Sequence, residues 1–178
     1  MADNFLEKQM KDYRAGRRRN PVSHSAGRRP GIYPMKYPAQ TVIVVNADNE
    51  GAEHVIAQFI AAGTTVAFTA NADGSAIAQR VGGRFYPGGL EQLVTDLQKR
   101  NEQPQTIIAF NIEDLQSGAT KYPSVNARIF ICRTQADAPP TGAACTTIAH
   151  SGNLSAVAMM AVALAHPNAA ISGTITIR

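Results

Sequence analysis

The strongest constraint on the fold of this chain is one short apolar run, an amphipathic segment, and then a second apolar run. Residues 41–46 read TVIVVN, the continuous β-branched pattern of a strand that is buried on both faces. Residues 51–62 read GAEHVIAQFIAA, with the large apolar side chains on one helical face, and residues 64–69 read TTVAFT. A strand, a helix and a second strand in this order predict a βαβ unit with parallel strands.

The same alternation continues along the chain. We predict further helices over residues 74–81, 90–100 and 153–165, and further strands over residues 83–86, 106–112, 128–133 and 171–177. The pattern predicts a three-layer αβα, Rossmann-like fold with a doubly wound, mainly parallel sheet of about six strands in the order 3-2-1-4-5-6. The flavodoxin-like order 2-1-3-4-5 is the alternative.

The first 40 residues differ in composition from the rest. They carry nine lysines and arginines against three acidic residues, whereas residues 41–178 carry eight against ten. A capping-box pattern and apolar residues at helical spacing predict a short helix at about residues 4–15. Prolines and glycines between residues 17 and 40 favour an extended or disordered connection. The chain therefore divides into a basic N-terminal arm, residues 1–40, and one α/β domain, residues 41–178.

Arginine clusters in the arm could neutralise the phosphates of a nucleic acid. They are not interleaved with aromatic residues in a nucleic-acid-binding motif, so an arm that is solvated or wraps a partner is the preferred interpretation. No apolar run is long enough to span a membrane, and the N-terminus lacks the apolar stretch of a signal peptide, so we expect a cytoplasmic protein. The cysteines and histidines show no metal-ligand spacing, and no metal site is expected.

The segment VIVVNADNEGAEHVIAQFIAAGTTVAFTA resembles the start of the short-chain dehydrogenase/reductase family. That family has a strand, a Thr-Gly-x-x-x-Gly-x-Gly loop, a helix and a second strand, and binds NAD(P) at the loop. The resemblance covers about residues 41–178. It places Asn46 at the family's threonine, Ala47 at the first glycine, Gly51 at the second and Glu53 at the third. Only one of the three glycines is therefore present.

The loop also carries the carboxylates of Asp48, Glu50 and Glu53. They suit the positive end of a helix dipole, but they occupy and repel the place where a dinucleotide's phosphates would lie. We expect a loop damaged for ordinary dinucleotide binding and no cofactor, with NAD(P) as the alternative. The candidate cofactor-contacting residues follow the first and fourth predicted strands; they are Asn46, Asp48, Asn49, Glu50, Gly51 and Asn111.

The family's catalytic groups are a serine after the fifth strand and a Tyr-x-x-x-Lys motif that opens the next helix, where lysine lowers the tyrosine's pKa. The corresponding segment here is TTIAHSGNLSAVAMMAVALAHPNAAISGTITI. It places His150 at the tyrosine, Leu154 at the lysine, and Thr134 or a neighbour at the serine. His150 and Thr134 are therefore candidate catalytic residues by position. The resemblance, with the lysine missing, implies no ordinary hydride transfer.

Two parts of the family pattern are shortened. About fifteen residues, 113–127, separate the fourth and fifth predicted strands, where the family has a long helix. Gly118, Pro123 and the polar composition predict no full helix there. The sequence also stops after the predicted sixth strand, where the family commonly continues with a substrate loop and a seventh strand, so we expect a truncated member that lacks both and has no evident substrate pocket.

These features favour a degenerate short-chain dehydrogenase/reductase-like protein that works as an oligomeric or partner-binding Rossmann module. The helix predicted at residues 153–165 is rich in alanine and methionine on nearly all sides. We expect it to contact a second subunit, of the same or a related protein. One alternative is an oxidoreductase that uses NAD(P) or another nucleotide at an altered site. The other is a protein that binds an anionic polymer, such as nucleic acid, through the basic arm.

Overall fold

A computed structural model describes residues 40–133, 145–166 and 173–178. The described strands are β1 (Thr41–Val45), β2 (Thr65–Phe68), β3 (Arg84–Phe85), β4 (Thr106–Ala109), β5 (Ala127–Cys132), β6 (Thr146–His150) and β7 (Gly173–Ile177). The described helices are α1 (Ala52–Ala61), α2 (Gly74–Val81), α3 (Gly89–Lys99), α4 (Ile112–Lys121) and α5 (Leu154–Leu164). The predicted helix at residues 4–15 and the rest of the arm up to residue 39 lie outside these ranges.

All neighbouring strands of the sheet run parallel, in the order β3-β2-β1-β4-β5-β6-β7. This order confirms the predicted Rossmann-like fold and excludes the flavodoxin-like alternative. The direction of winding reverses between β1 and β4, which are hydrogen-bonded neighbours. In open parallel sheets the ligand crevice lies outside the carboxyl ends of the strands at such a reversal.

The prediction of about six strands omits β6. Its sequence, TTIAH, is short and contains two threonines and a histidine, so it resembles a loop that leads into the following helix. All five residues are nevertheless buried, and Ile148 pairs in register with Ile131 of β5 and Ile175 of β7. The strand predicted at residues 171–177 is therefore the seventh strand, and the expectation that the chain lacks a seventh strand is wrong.

The prediction that residues 113–127 form no full helix is wrong, because the ten-residue helix α4 (Ile112–Lys121) covers most of this region. Asn111 caps the helix, since its side-chain oxygen accepts hydrogen bonds from the backbone N–H groups of Glu113 and Asp114 at 2.8 and 3.3 Å. Gly118 is buried, and a Cβ atom there would lie 3.0 Å from Cγ2 of Ile107. Glycine therefore allows α4 to approach β4 closely and does not interrupt the helix.

The core has two layers, one on each face of the sheet. Val42 and Val44 face the side covered by α1 and α5, whereas Ile43 and Val45 face the side covered by α3 and α4. Burial on both faces is the reason that β1 is apolar at every position rather than at alternate ones. None of the helices in the described ranges has the length and apolar character needed to cross a lipid bilayer.

Candidate active site at the carboxyl edge of the sheet

The predicted cofactor residues lie along one edge of the sheet, where the strands end. Asn46 follows β1, and Asn111 follows β4 by two positions. The loop between β1 and α1 carries the other four, Asp48, Asn49, Glu50 and Gly51. Because β1 and β4 are neighbours at the reversal of the sheet, this edge is where the fold places a ligand. Asn111 itself caps α4, so its side-chain oxygen already accepts two hydrogen bonds.

The first amides of α1 are hydrogen-bonded inside the β1–α1 loop. The side-chain oxygen of Asn49 accepts from the N–H of Gly51 at 3.0 Å, and its backbone oxygen accepts from the N–H of Ala52 at 2.9 Å. In a phosphate-binding loop, the amides at this helix end point at the phosphates instead. Asn49 therefore satisfies two of the donors that a pyrophosphate would use.

Gly51 is the one residue of the loop that matches a glycine of the Thr-Gly-x-x-x-Gly-x-Gly pattern, yet its backbone does not require glycine. Its φ angle is −74°, in the ordinary right-handed region. A Cβ atom there would lie 3.5 Å from a methyl carbon of Leu154 and 3.6 Å from the ring of Phe110, which are ordinary van der Waals distances. The described contacts therefore leave room for alanine at this position.

Asp48 ties the β1–α1 loop to the segment after β2. Its carboxylate accepts hydrogen bonds from the backbone N–H groups of Asn71 at 2.6 Å and Ala72 at 3.0 Å. The carboxylate thus lies against the backbone where the second strand ends. Its two oxygens are engaged within the protein and hold the two loops together.

The other two carboxylates are paired with arginines. Glu53 receives two hydrogen bonds of 2.9 Å from Arg80 of α2, and this bonding lowers the pKa of its carboxyl group. Glu50 and Arg133, which follows β5, form an ion pair of 2.7 Å with both side chains mostly exposed. The loop is therefore less negative than its sequence suggests, because two of its three carboxylates have a cationic partner.

His150 is the last residue of β6 and is 5% exposed. Its Nδ1 atom is buried and has no hydrogen-bond partner among the described residues. Burial lowers the pKa of its imidazole below the ordinary value of 6.5, and the charge of Arg133 lowers it further, while Glu50 acts in the opposite direction. Since Cys132 pairs with Ala149, Arg133 and His150 occupy adjacent positions on the same face of the sheet.

The structure changes the positional comparison with the family's catalytic groups. His150 ends a strand, whereas the family's tyrosine opens a helix. Leu154 begins α5 and contributes to its packing against α1 beside Gly51. The cation near His150 is Arg133, which the sequence comparison missed because it follows a different strand, β5. The sequence did offer one signal for Arg133, because this residue directly follows the apolar run RIFIC of a predicted strand. Thr134 lies outside the described residues.

A cavity of about 530 Å³ lies at the ends of β1 and β2, between α3 and α4. Asn46 lines it, with a left-handed backbone (φ 58°) whose N–H donates to Oγ1 of Thr69 at 2.8 Å. The Asn46 side chain donates to Asp114 at 3.3 Å and accepts from Asn71 at 3.4 Å. Within the described ranges, no group of three or more His, Cys, Asp or Glu side chains could hold a metal ion.

An ion pair between Lys121 of α4 and Glu91 of α3, 2.6 Å apart, also borders this cavity. The sequence comparison identified Asn46, but it missed Asp114 because no helix was expected there. A cavity with a carboxylate, two side-chain amides and an ion pair can hold a polar ligand of moderate size.

No protein-family model matches the chain, and no curated protein matches it in sequence. Solved structures do match in fold. BdcA (YjgI) from E. coli is 16% identical with a TM-score of 0.56, covering 78% of this chain and 97% of its own. A short-chain dehydrogenase/reductase from Serratia marcescens is 15% identical with a TM-score of 0.58, covering 80% and 98%.

Two further structures extend this comparison. A short-chain dehydrogenase from Rhodopseudomonas palustris is 13% identical with a TM-score of 0.55, covering 80% of this chain and 99% of its own. A structure of BdcA in complex with NADPH is 14% identical with a TM-score of 0.54, covering 79% and 93%. At these identities the shared property is the fold, and this chain has the fold of the short-chain dehydrogenase/reductases.

Proposed function

We propose that this chain, with its short-chain dehydrogenase/reductase fold, binds the adenosine part of a nucleotide and does not carry out ordinary hydride transfer. The observation that carries the proposal is the cavity of about 530 Å³ at the end of β1, beside the reversal of the sheet. Its volume lies in the range of small-ligand sites, roughly 300–1,000 Å³. The NADPH complex of BdcA supports a nucleotide ligand for this fold.

The polar groups of the cavity suit a purine base. The carboxylate of Asp114 can accept a hydrogen bond from an exocyclic amino group, and the amides of Asn46 and Asn71 can donate to ring nitrogens. The bonds that now join these three side chains are long, 3.3 and 3.4 Å. Long hydrogen bonds are weak, so a ligand can replace them at little cost.

The pyrophosphate and the nicotinamide of a dinucleotide find fewer hydrogen-bond partners than the adenosine. Asn49 already accepts hydrogen bonds from the first amides of α1, at Gly51 and Ala52, which a pyrophosphate would need. We therefore expect the phosphates and the nicotinamide to add little to affinity. AMP, adenosine and NAD should then bind with similar strength.

Hydride transfer to a carbonyl needs an acid that delivers a proton to the oxygen. In the sequence comparison His150 stands at the position of the family's tyrosine. The pKa of its imidazole is lowered, so His150 is neutral near pH 7. Leu154 supplies no charge where the family has lysine. The site thus lacks the pair that makes a proton available near neutral pH.

Isothermal titration calorimetry with adenosine, AMP, NAD and NADP tests the first half of the proposal. The expected result is binding of AMP and NAD with dissociation constants within about threefold of each other. Absence of binding by all four compounds would sink the nucleotide proposal. Binding of NAD or NADP more than tenfold tighter than AMP would show that the loop does hold the pyrophosphate.

Three variants locate the ligand. Asp114→Asn should weaken AMP binding about tenfold or more, because hydrogen bonds to charged groups contribute roughly 1.5–3 kcal/mol. Glu113→Gln is the matched control, with the same loss of charge one residue away on the exposed side of α4. Gly51→Ala should leave both AMP and NAD binding unchanged, since neither ligand depends on close approach at that backbone.

The second half of the proposal is tested by following the absorbance of NADH and NADPH with a panel of aldehydes and ketones. We expect no turnover above the buffer rate. Turnover that disappears in His150→Gln would instead identify an oxidoreductase with an altered site. A panel without turnover combined with AMP binding supports both halves.

A further inference from the structure

We propose that the ligand of the nucleotide cavity carries a zwitterionic α-amino acid group on its adenosine, so that it belongs to the class of adenosyl amino acids. This inference rests on the proposed function, because it takes the binding of adenosine in that cavity as given. The observation that carries it is the ion pair of Lys121 and Glu91, which brings one positive and one negative side chain to the lining of the same cavity.

One face of α4 lines the cavity. Asp114, Ser117 and Lys121 are three and four residues apart, which places them on one side of a helix, and all three line the cavity. The rise of the helix from Asp114 to Lys121 is about 10 Å. The cavity therefore follows α4 from its first turn to its last, past the carboxylate that we assign to the purine base.

The polar groups on this face match the parts of an adenosine that bears a 5′ substituent. The carboxylate of Asp114 accepts a hydrogen bond from the amino group of the base, as proposed above. The hydroxyl of Ser117, about one turn further along α4, can bond to a hydroxyl group of the ribose. The 5′ substituent then lies toward the end of α4, beside Lys121 and Glu91.

The ion pair lies where the cavity meets solvent. Nζ of Lys121 on α4 is 2.6 Å from Oε1 of Glu91 on α3, and the two side chains are 38% and 76% exposed. Because both side chains reach solvent, separating them leaves no buried charge without a partner. Exposed ion pairs of this kind contribute little to stability, so a ligand can exchange this pair for partners of its own.

A zwitterion fits this pair better than a phosphate does. The carboxylate of the ligand pairs with Lys121 and its ammonium group pairs with Glu91, so two ion pairs replace one and every charge keeps a partner. A phosphate also pairs with Lys121, but it takes this lysine from Glu91 and places two negative charges side by side. The same reason supports the expected similarity of AMP and adenosine binding.

Isothermal titration calorimetry with a matched pair of ligands tests the inference. S-adenosylhomocysteine has the amino acid group, whereas 5′-methylthioadenosine has the same adenosine and thioether without it. S-adenosylhomocysteine should bind at least tenfold tighter. Equal affinities of the two compounds would overturn the inference and leave adenosine binding intact. Absence of binding by both compounds and by adenosine would overturn the proposed function, and this inference with it.

Variants of the ion pair identify what recognises the amino acid group. Lys121→Gln and Glu91→Gln should each reduce the tenfold difference between the two ligands to about threefold or less. Lys99→Gln and Glu113→Gln, at exposed positions that do not line the cavity, are the matched controls and should keep the full difference. Circular dichroism that matches the wild type excludes unfolding as the cause. A tenfold preference that persists in both Lys121→Gln and Glu91→Gln would contradict recognition by this ion pair.

Discussion

Glu50 and Arg133 are 83 residues apart in sequence and form an ion pair of 2.7 Å that joins the β1–α1 loop to the end of β5. β4 lies between β1 and β5 in the sheet, so the pair bridges the carboxyl end of that strand. His150, buried at the end of β6, is affected by both charges in opposite directions. Two exposed residues from other parts of the chain therefore tune one buried imidazole.

The pKa of His150 should respond oppositely to the loss of each partner. Arg133→Gln removes a positive charge that disfavours protonation, so the pKa should rise toward 6.5. Glu50→Gln removes a favourable negative charge, so the pKa should fall further. An NMR titration of the His150 imidazole measures both shifts. Shifts of the same sign in the two variants would contradict the arrangement of these three side chains.

The buried His150 should also make stability depend on pH. Its pKa is lowered in the folded state, so the unfolded chain binds more protons below pH 6.5 and the free energy of unfolding falls as the pH decreases through that value. His150→Gln should flatten this dependence between about pH 7 and 5. Urea denaturation across that range measures it. A His150→Gln variant that keeps the wild-type slope would contradict this assignment.

Asn111 should contribute to stability through its cap of α4. Asn111→Ala removes the acceptor for the N–H groups of Glu113 and Asp114, and the free energy of unfolding should fall by about 1 kcal/mol. Asn111→Asp keeps an acceptor oxygen and should retain most of the stability. The midpoint of chemical denaturation distinguishes the two variants. Equal midpoints for Asn111→Ala and the wild type would show that the cap is unimportant.

Gly118→Ala should destabilise the protein even though alanine favours helices. The added Cβ would lie 3.0 Å from Cγ2 of Ile107, closer than ordinary contact, and Ile107 is fully buried, so its side chain has little room to move away. Overpacking of this kind costs about 1–3 kcal/mol, against a gain in helix propensity of about 1 kcal/mol. Gln116→Ala, at an exposed position of the same helix, should change stability by less than about 0.5 kcal/mol. A Gly118→Ala variant more stable than the wild type would contradict the observed packing.

The sequence predicts best where the pattern is local and repeated. The helix predicted at residues 74–81 has those bounds in the structure, and α1 and α3 lie within one residue of their predicted bounds. Apolar spacing identifies such helices because each must bury one side against the sheet. The same periodicity, with β-branched runs between the helices, predicts parallel strands and the order of the first five.

The sequence predicts worst where a residue has a tertiary role that contradicts its local tendency. Gly118 is a poor helix former in isolation, yet it lies in α4 because a larger residue would meet Ile107. His150 is polar, yet it ends a buried strand. Arg133 could not be matched with Glu50 or His150, because no spacing along the chain relates the loop after β1, the end of β5 and the end of β6.

By itself, the sequence determined the parallel α/β fold and the differences from the glycine-rich loop and Tyr-x-x-x-Lys motif of the family that it resembles, because buried strands, amphipathic helices and residue identities are local properties. Only the tertiary structure decided that α4 forms, that Asn49 and two arginines satisfy the β1–α1 loop, and that Asn46 and Asp114 share a cavity. These features depend on distances between strands and helices remote in sequence, which are set when the sheet and its two helical layers pack together.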